Sequence, residues 1–272
     1  MGTGQAEDSI PQGYVFDNAA EQAGARLRAL SEMFDPSTIH HLSERGVSEG
    51  WHCLEVGGGN GSIATWLGGR VGPTGRVLVT DIDTRFLETM KLPNVEIRRH
   101  NIVADALPER TFDLVHSRLV LLHLPERDEA LRRMIAALKP GGWLVDEEFD
   151  SASLLADPVV NAAEVLPKTQ LAIMRLVEDR GVERRYGRLL LGRLRALGLV
   201  EAGAEGRVLM WQGGTAGASL MRANYLQLRA DMINAGYIDE AEFEEDLIRL
   251  EASDFMTLSP IMWTAWGHRA IT

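Results

Sequence analysis

The sequence predicts an α/β fold whose sheet is mostly parallel and covered by helices on both faces. Three observations carry that expectation. Short apolar runs alternate with helix-like stretches between residues 51 and 150. The first run, Cys53-Leu54-Glu55-Val56, breaks into Gly57, Gly58, Gly59 and Gly61 before helical sequence begins at Ser62. The second run, Arg76-Val77-Leu78-Val79-Thr80, ends in Asp81, twenty residues after Gly61.

In order along the chain, residues 1–50 read as an N-terminal helical segment. Asp17 or Asn18 can cap a helix through Ala25, Leu27, Leu30 and Met33. Asp35 is then expected to cap a second, with Pro36 at its first position and Ile39 and Leu42 facing inward. The core spans 51–150, with strands expected near 51–57, 76–81, 95–100, 112–117 and 142–148 and helices near 62–70, 84–90 and 127–138. Residues 151–186 form a helical insertion through Gln170, Ile173, Met174 and Val177. The core resumes over 187–216, with a helix at 187–197 and a strand near 206–212. A second helical insertion covers 217–255, with Leu220, Met221, Tyr225, Leu228 and Met232 on one helix and a capping box at Asp239 and Glu242 opening another. The last core strand falls within 256–272. Both insertions are expected to stack above the strand ends as a lid over an apolar pocket.

A strand, a glycine loop and a helix in that order bring bare backbone and a helix N-terminus against a ligand. An acid at the end of the next strand is placed to accept hydrogen bonds from ribose hydroxyls. Together they predict a nucleoside-containing cofactor. A dinucleotide frame can be laid over Gly59, Gly61 and Ala64, and with it a nicotinamide-dependent oxidoreductase. Glu55, two residues before the first glycine, argues against that frame. A carboxylate there suits an ammonium group and would repel a pyrophosphate.

Two more segments narrow the choice: Leu107-Pro108-Glu109-Arg110-Thr111-Phe112-Asp113-Leu114-Val115-His116-Ser117 and Leu138-Lys139-Pro140-Gly141-Gly142-Trp143-Leu144-Val145. With the glycine loop, they make residues 50–150 resemble the class I, Rossmann-like S-adenosylmethionine-dependent methyltransferases of the small-molecule type. The resemblance implies a seven-stranded sheet of order 3-2-1-4-5-7-6 with the last strand antiparallel. It implies that Glu55 receives the methionine ammonium, that Gly57, Gly58, Gly59 and Gly61 let the cofactor approach backbone, and that Asp81 holds the ribose with Ile82 against the adenine. Where the family usually has an aspartate for the adenine amino group, this chain offers Asn101, followed by Ile102. Ser117 corresponds to a position lining the methionine end of the cofactor. Leading helices often close over the cofactor in this family, which makes Tyr14 a candidate contact. Tyr14 and Phe16 can equally dock an N-terminal arm.

Methyl transfer requires chiefly that a nucleophile be held in line with the sulfonium, and a base only where the nucleophile carries a proton that must leave early. His123, after the fourth strand, and Glu148, ending the fifth, are the catalytic candidates. His116, beside Ser117, is expected by strand alternation to face the opposite side and to be structural. The acids Asp146, Glu147, Glu148 and Asp150 alternate between faces, and no His or Cys pair has ligand spacing, so no metal is expected.

Composition bounds the remainder. The chain has 272 residues, is 45% hydrophobic and carries a net charge of −11 from 28 basic and 39 acidic residues. Such a surface repels phosphate backbones, so no nucleic-acid partner is expected. No apolar stretch approaches the ~20 residues that cross a bilayer, and the single cysteine, Cys53, suits a reducing compartment. A cytoplasmic location without membrane insertion is therefore expected. The expected partner is a small-molecule methyl acceptor, apolar or aromatic. A homodimer is allowed, though the sequence does not fix the oligomeric state. The rivals are the oxidoreductase and a protein that binds S-adenosylmethionine without turnover.

Overall fold

A computed structural model of the chain describes residue 16 and residues 21–154 and 166–271. The apolar runs form β1 (His52–Val56), β2 (Arg76–Asp81), β3 (Val95–Arg99), β4 (Phe112–Arg118) and β5 (Leu138–Asp150). Two further strands, β6 (Val200–Arg207) and β9 (Ile261–His268), complete a seven-stranded sheet of order β3-β2-β1-β4-β5-β9-β6. The first five strands run parallel, and β9 lies antiparallel between β5 and β6. With β9 as the seventh sheet strand, this is the order that the resemblance implied.

One face of the sheet packs on α2 (Ser62–Val71), through Cys53, Val77 and Leu114 against Ile63, Leu67 and Val71. The other packs on α3 (Arg127–Ala137) and α5 (Tyr186–Ala196), through Leu54, Val115 and Leu144 against Leu131, Met134 and Leu190. Above the carboxyl ends of the strands lie α4 (Lys168–Asp179), α6 (Ala216–Asn234) and α7 (Glu240–Arg249), which pack on one another. The capping box at Asp239 and Glu242 is formed at the start of α7.

Four expectations need correction. The two leading helices are one, α1 (Ala23–Glu44), with Pro36 inside it. Asp35 does not cap a new helix; its carboxylate binds Arg118 instead. Residues 84–90 form turns rather than a helix, because Leu87 is held in the core by single turns closing on Thr84 and Met90. The strand expected near 206–212 is split. The sheet strand is the earlier β6, and β7 (Met210–Gln212) pairs with β8 (Met256–Leu258) in a separate ribbon. Asp17 and Asn18 lie outside the described residues.

Candidate functional site

A cavity of about 610 Å³ lies at the carboxyl ends of β1, β2 and β4, where open α/β sheets bind ligands. Its floor is the glycine loop. Gly57 sits at φ +72°, and a Cβ there would stand 2.3 Å from Val120, so only glycine lets the loop after β4 close on this wall. Asp81 and Ile82 line the next wall, followed by His100, Asn101, Ile102 and Val103. The roof is the first half of α1: Arg26, Leu27, Leu30 and Ser31. Ser31 bonds the loop directly, meeting Asn60 and Ser62.

Asp81 accepts the backbone N–H of Gly59 through one oxygen and that of Asp83 through the other, each at 3.0 Å. Burial raises its pKa, and these two N–H groups oppose the rise. The carboxylate is thereby aimed and keeps lone pairs for hydroxyl donors. Asn101 lines the cavity, but its amide oxygen accepts the N–H of Val103 at 2.9 Å and that of Ala104 at 3.4 Å. It acts first as a turn cap. The neighbouring His100 is 5% exposed, and both of its ring nitrogens are without a partner among the described residues. It was not anticipated as a cleft residue, and it is the unspent polar group on that wall.

Beneath the methionine end expected for a cofactor lies a buried charge network that sequence reading missed. His116 Nδ1 lies 2.6 Å from Glu55 Oε2, and its Nε2 lies 3.3 Å from Glu147 Oε2. Thr264 of β9 donates to Glu147 Oε1 at 2.7 Å, and Thr38 of α1 donates to Glu147 as well. Arg118 donates to Thr38 at 2.9 Å and to Asp35 at 2.8 Å. Burial alone would lower the His116 pKa, but the two flanking carboxylates outweigh it and raise it to about 9. Burial opposes ionisation of Glu147, and His116 and Arg118 overcome that and hold it at about 2. Glu55 therefore reaches the cleft with one oxygen tied to His116. Its Oε1 takes part in none of these bonds.

The expectation that His116 faces away came from placing Ser117 in the cleft. The structure reverses both. Ser117 is fully buried and donates to Asp146 on the opposite face, towards α3 and α5. Register held the signal: Glu55 pairs with His116 across β1 and β4, and Glu147 lies two residues beyond His116's partner Val145. Equal parity puts all three on one face.

Two more candidates move. Gly61 caps α2 at φ +78°, and a Cβ there would lie 2.3 Å from Met90. Its glycine serves packing beneath the loop, while Gly57, Gly58 and Gly59 line the cavity. Glu148 is wholly buried and accepts the N–H of Val120 at 3.1 Å and of Leu121 at 2.6 Å. Burial and the neighbouring Asp146 push its pKa well above the usual carboxylate range. It shapes the loop from below, and it lines neither cavity. Tyr14 lies outside the described residues.

His123 lies where the cleft meets a second cavity of about 140 Å³. Arg26, Leu30, Leu119 and His123 line both. Phe16 meets the His123 ring edge-on, with centroids 6.1 Å apart. Burial, with Arg26 and Arg127 nearby, lowers the His123 pKa to about 3, so the ring is neutral over the physiological range. The second cavity runs under α4 and α6 and is mostly apolar, with Phe149, Ile173, Met174 and Leu220 in its wall.

Residues 54–144 match the family described as a methyltransferase domain. Among curated proteins, the chain is similar to the ubiquinone/menaquinone biosynthesis C-methyltransferase UbiE of Hahella chejuensis, 29% identical over 55% of this chain and 62% of that one. The corresponding protein of Enterobacter sp. (strain 638) is 31% identical over 54% of this chain and 64% of its own length. The chain thus spans under two thirds of these relatives. Among solved structures, it shares its fold with Haemonchus contortus phosphoethanolamine N-methyltransferase 2, solved with phosphomonomethylethanolamine and S-adenosylhomocysteine. That match has a TM-score of 0.56 at 14% identity and covers 92% of this chain and 58% of the other.

Proposed function

The chain carries a class I, Rossmann-like methyltransferase domain, and from that premise we propose that it transfers a methyl group from S-adenosylmethionine to oxygen, nitrogen or carbon of a small apolar or aromatic acceptor. The observation that carries this reading is the junction of two cavities. One is ringed by Glu55, the glycine loop and Asp81; the other is apolar, and they meet at Arg26, Leu30, Leu119 and His123. The residues present fit the cofactor. A buried carboxylate would face its ammonium group, a second carboxylate already aimed by backbone would face its ribose, and glycines leave the floor bare. When bound, S-adenosylmethionine supplies an electrophilic methyl on a sulfonium whose departure leaves a neutral thioether.

The work of the chain is then to bind and orient. Glu55, held by His116, would fix the amino-acid end; Asp81 would fix the ribose; Ile82, His100 and Ile102 would wall the base. Leu119 and Leu30 would exclude water from the junction. Placing a nucleophile in line is worth about 7–11 kcal/mol in favourable systems. His123 stands at the junction but, being neutral and weakly basic, is suited to orienting a nucleophile's proton more than to removing it. Helices α4, α6 and α7 would form the lid. They lie outside residues 54–144, so the family match leaves the acceptor atom open. No helix among the described residues is long and apolar enough to cross a membrane.

Calorimetric titration tests the reading. S-adenosylmethionine and S-adenosylhomocysteine are expected to bind at micromolar concentration, and NAD(H) not to bind. Binding of NAD(H) alone would return the glycine loop to the dinucleotide frame.

A further inference from the structure

The apolar cavity has its own polar chemistry, separate from the cofactor cleft. Trp211, on β7, is 6% exposed and lines the chamber, and its indole N–H is buried with no acceptor among the described residues. Asn224, on α6, lines the same chamber, and its amide oxygen is likewise buried without a donor. A buried donor or acceptor left unmet is costly, and such groups recur where a ligand completes them.

Local structure holds both in place. A Cβ on Gly217 would stand 2.2 Å from Trp211, so the indole lies against the first turn of α6. Asn224 follows Gly217 by seven residues, two helical turns along the same side, a rise of about 10 Å. Leu220 and Met221 fill the interval and face the chamber too. The result is an apolar stripe with a donor near one end and an acceptor near the other.

Charge is scarce in this wall. Arg26 is the one charged side chain among the described lining residues; it lies at the mouth shared with the cleft, its guanidinium 4.9 Å from the Phe16 ring centroid. His123 is neutral. No carboxylate among the described lining residues would balance an ammonium group.

We propose that the acceptor is a neutral, compact, largely apolar molecule of phenol-like chemistry, bound through an oxygen that accepts from the Trp211 indole N–H or a hydroxyl or N–H that donates to the Asn224 amide oxygen, or through both. This deepens the methyl-transfer reading and rests on it for the word acceptor.

The experiment uses the full chain saturated with S-adenosylhomocysteine, at near-neutral pH, titrated calorimetrically with four probes. 4-Methylphenol and 2-naphthol are the neutral ones; 4-methylbenzoate and 4-methylbenzylammonium carry the two charges. At least one neutral probe is expected to bind, with both charged probes at least about tenfold weaker. Trp211→Phe or Asn224→Leu is expected to weaken the better neutral probe about tenfold, the loss of one hydrogen bond, while S-adenosylhomocysteine affinity and melting temperature hold. Equal or tighter binding of either charged probe overturns the proposal. So does failure of both neutral probes, or unchanged phenol binding in both variants. Should S-adenosylhomocysteine itself fail to bind, the methyl-transfer reading falls. The same titrations on the unloaded protein still test the chemistry of the chamber.

Discussion

The cleft and the chamber meet at four residues and are built on opposite principles. The cleft is assembled by strands and loops, and its polar groups, His100 apart, are tied to neighbours: Asp81 to Gly59 and Asp83, Glu55 to His116, Asn101 to its own turn. The chamber is assembled by helices and a short ribbon, and two of its polar atoms are left open. A site whose polar groups are held in advance loses little entropy in ordering them and suits one invariant ligand. A site of apolar stripes with few open polar atoms sets selectivity by shape and by whether those atoms are met. The difference teaches that ligand selectivity in the cleft and in the chamber can be altered separately.

The largest expected effect tests that separation directly. Glu55→Ala leaves His116 with one carboxylate instead of two and removes the group proposed to receive the cofactor's ammonium. Removing one member of a buried ion pair costs about 3–5 kcal/mol. S-adenosylhomocysteine affinity is expected to fall at least about 100-fold by calorimetry, while phenol binding in the chamber persists. Loss of both together would show the two regions to be one.

Gly57→Ala comes next. The added methyl meets Val120 in a backbone conformation that side chains avoid, and such strain costs about 1–3 kcal/mol. Weakened cofactor binding and a lower melting temperature are expected; unchanged values would remove the loop after β4 from the cleft wall.

His116 sharpens the comparison through pH. Its folded pKa, about 9, lies above the ordinary 6.5. The stability it contributes is therefore full below about pH 6.5 and is lost as pH rises through about 9. The groups facing it are Glu55 and Glu147, with Asp146, whose own pKa burial raises to about 7, nearby and Arg118 beyond Glu147. Denaturant titrations are expected to show an alkaline fall in unfolding free energy that His116→Gln reduces, the remainder coming from the buried carboxyls Asp146 and Glu148. An identical fall in the variant would assign it to another group.

The smallest effect is expected at Glu148→Gln. A carboxyl oxygen accepting two N–H groups is replaced by an amide oxygen that accepts the same two. Turnover within about twofold of the parent is expected, whereas loss of a general base typically costs about 10²–10⁴-fold.

The same contrast explains what was legible in the sequence. Glu55, the glycines and Asp81 announce themselves because a strand, a sharp turn and a strand end each leave a local mark. The sheet order followed from the resemblance that those residues carry. His116 and Ser117 were assigned to the wrong faces because alternation gives relative parity, and one wrong anchor inverts a whole strand. Glu148 looked catalytic because it ends a strand, yet its odd or even place on β5 sends it to α5 and the loop beneath. Turns at 84–90 carry an apolar Leu87 that a short helix would also place inward. Trp211 and Asn224 left no mark, since their meeting depends on β7 pairing with β8 and on Gly217 admitting the indole.

Helix α1 is at once a cover for the cleft and a strut on the sheet. Its first half, Arg26 to Ser31, covers the cleft; its second half is fastened to the sheet through Asp35 and Thr38. Pro36 falls between those two fastenings and has no N–H for the carbonyl of Glu32. The missing rung of the helical ladder thus opens at the border between cover and anchor. In mechanical terms α1 is a beam pinned to the glycine loop at Ser31 and to the sheet side at Asp35 and Thr38, with the missing rung between the two pins.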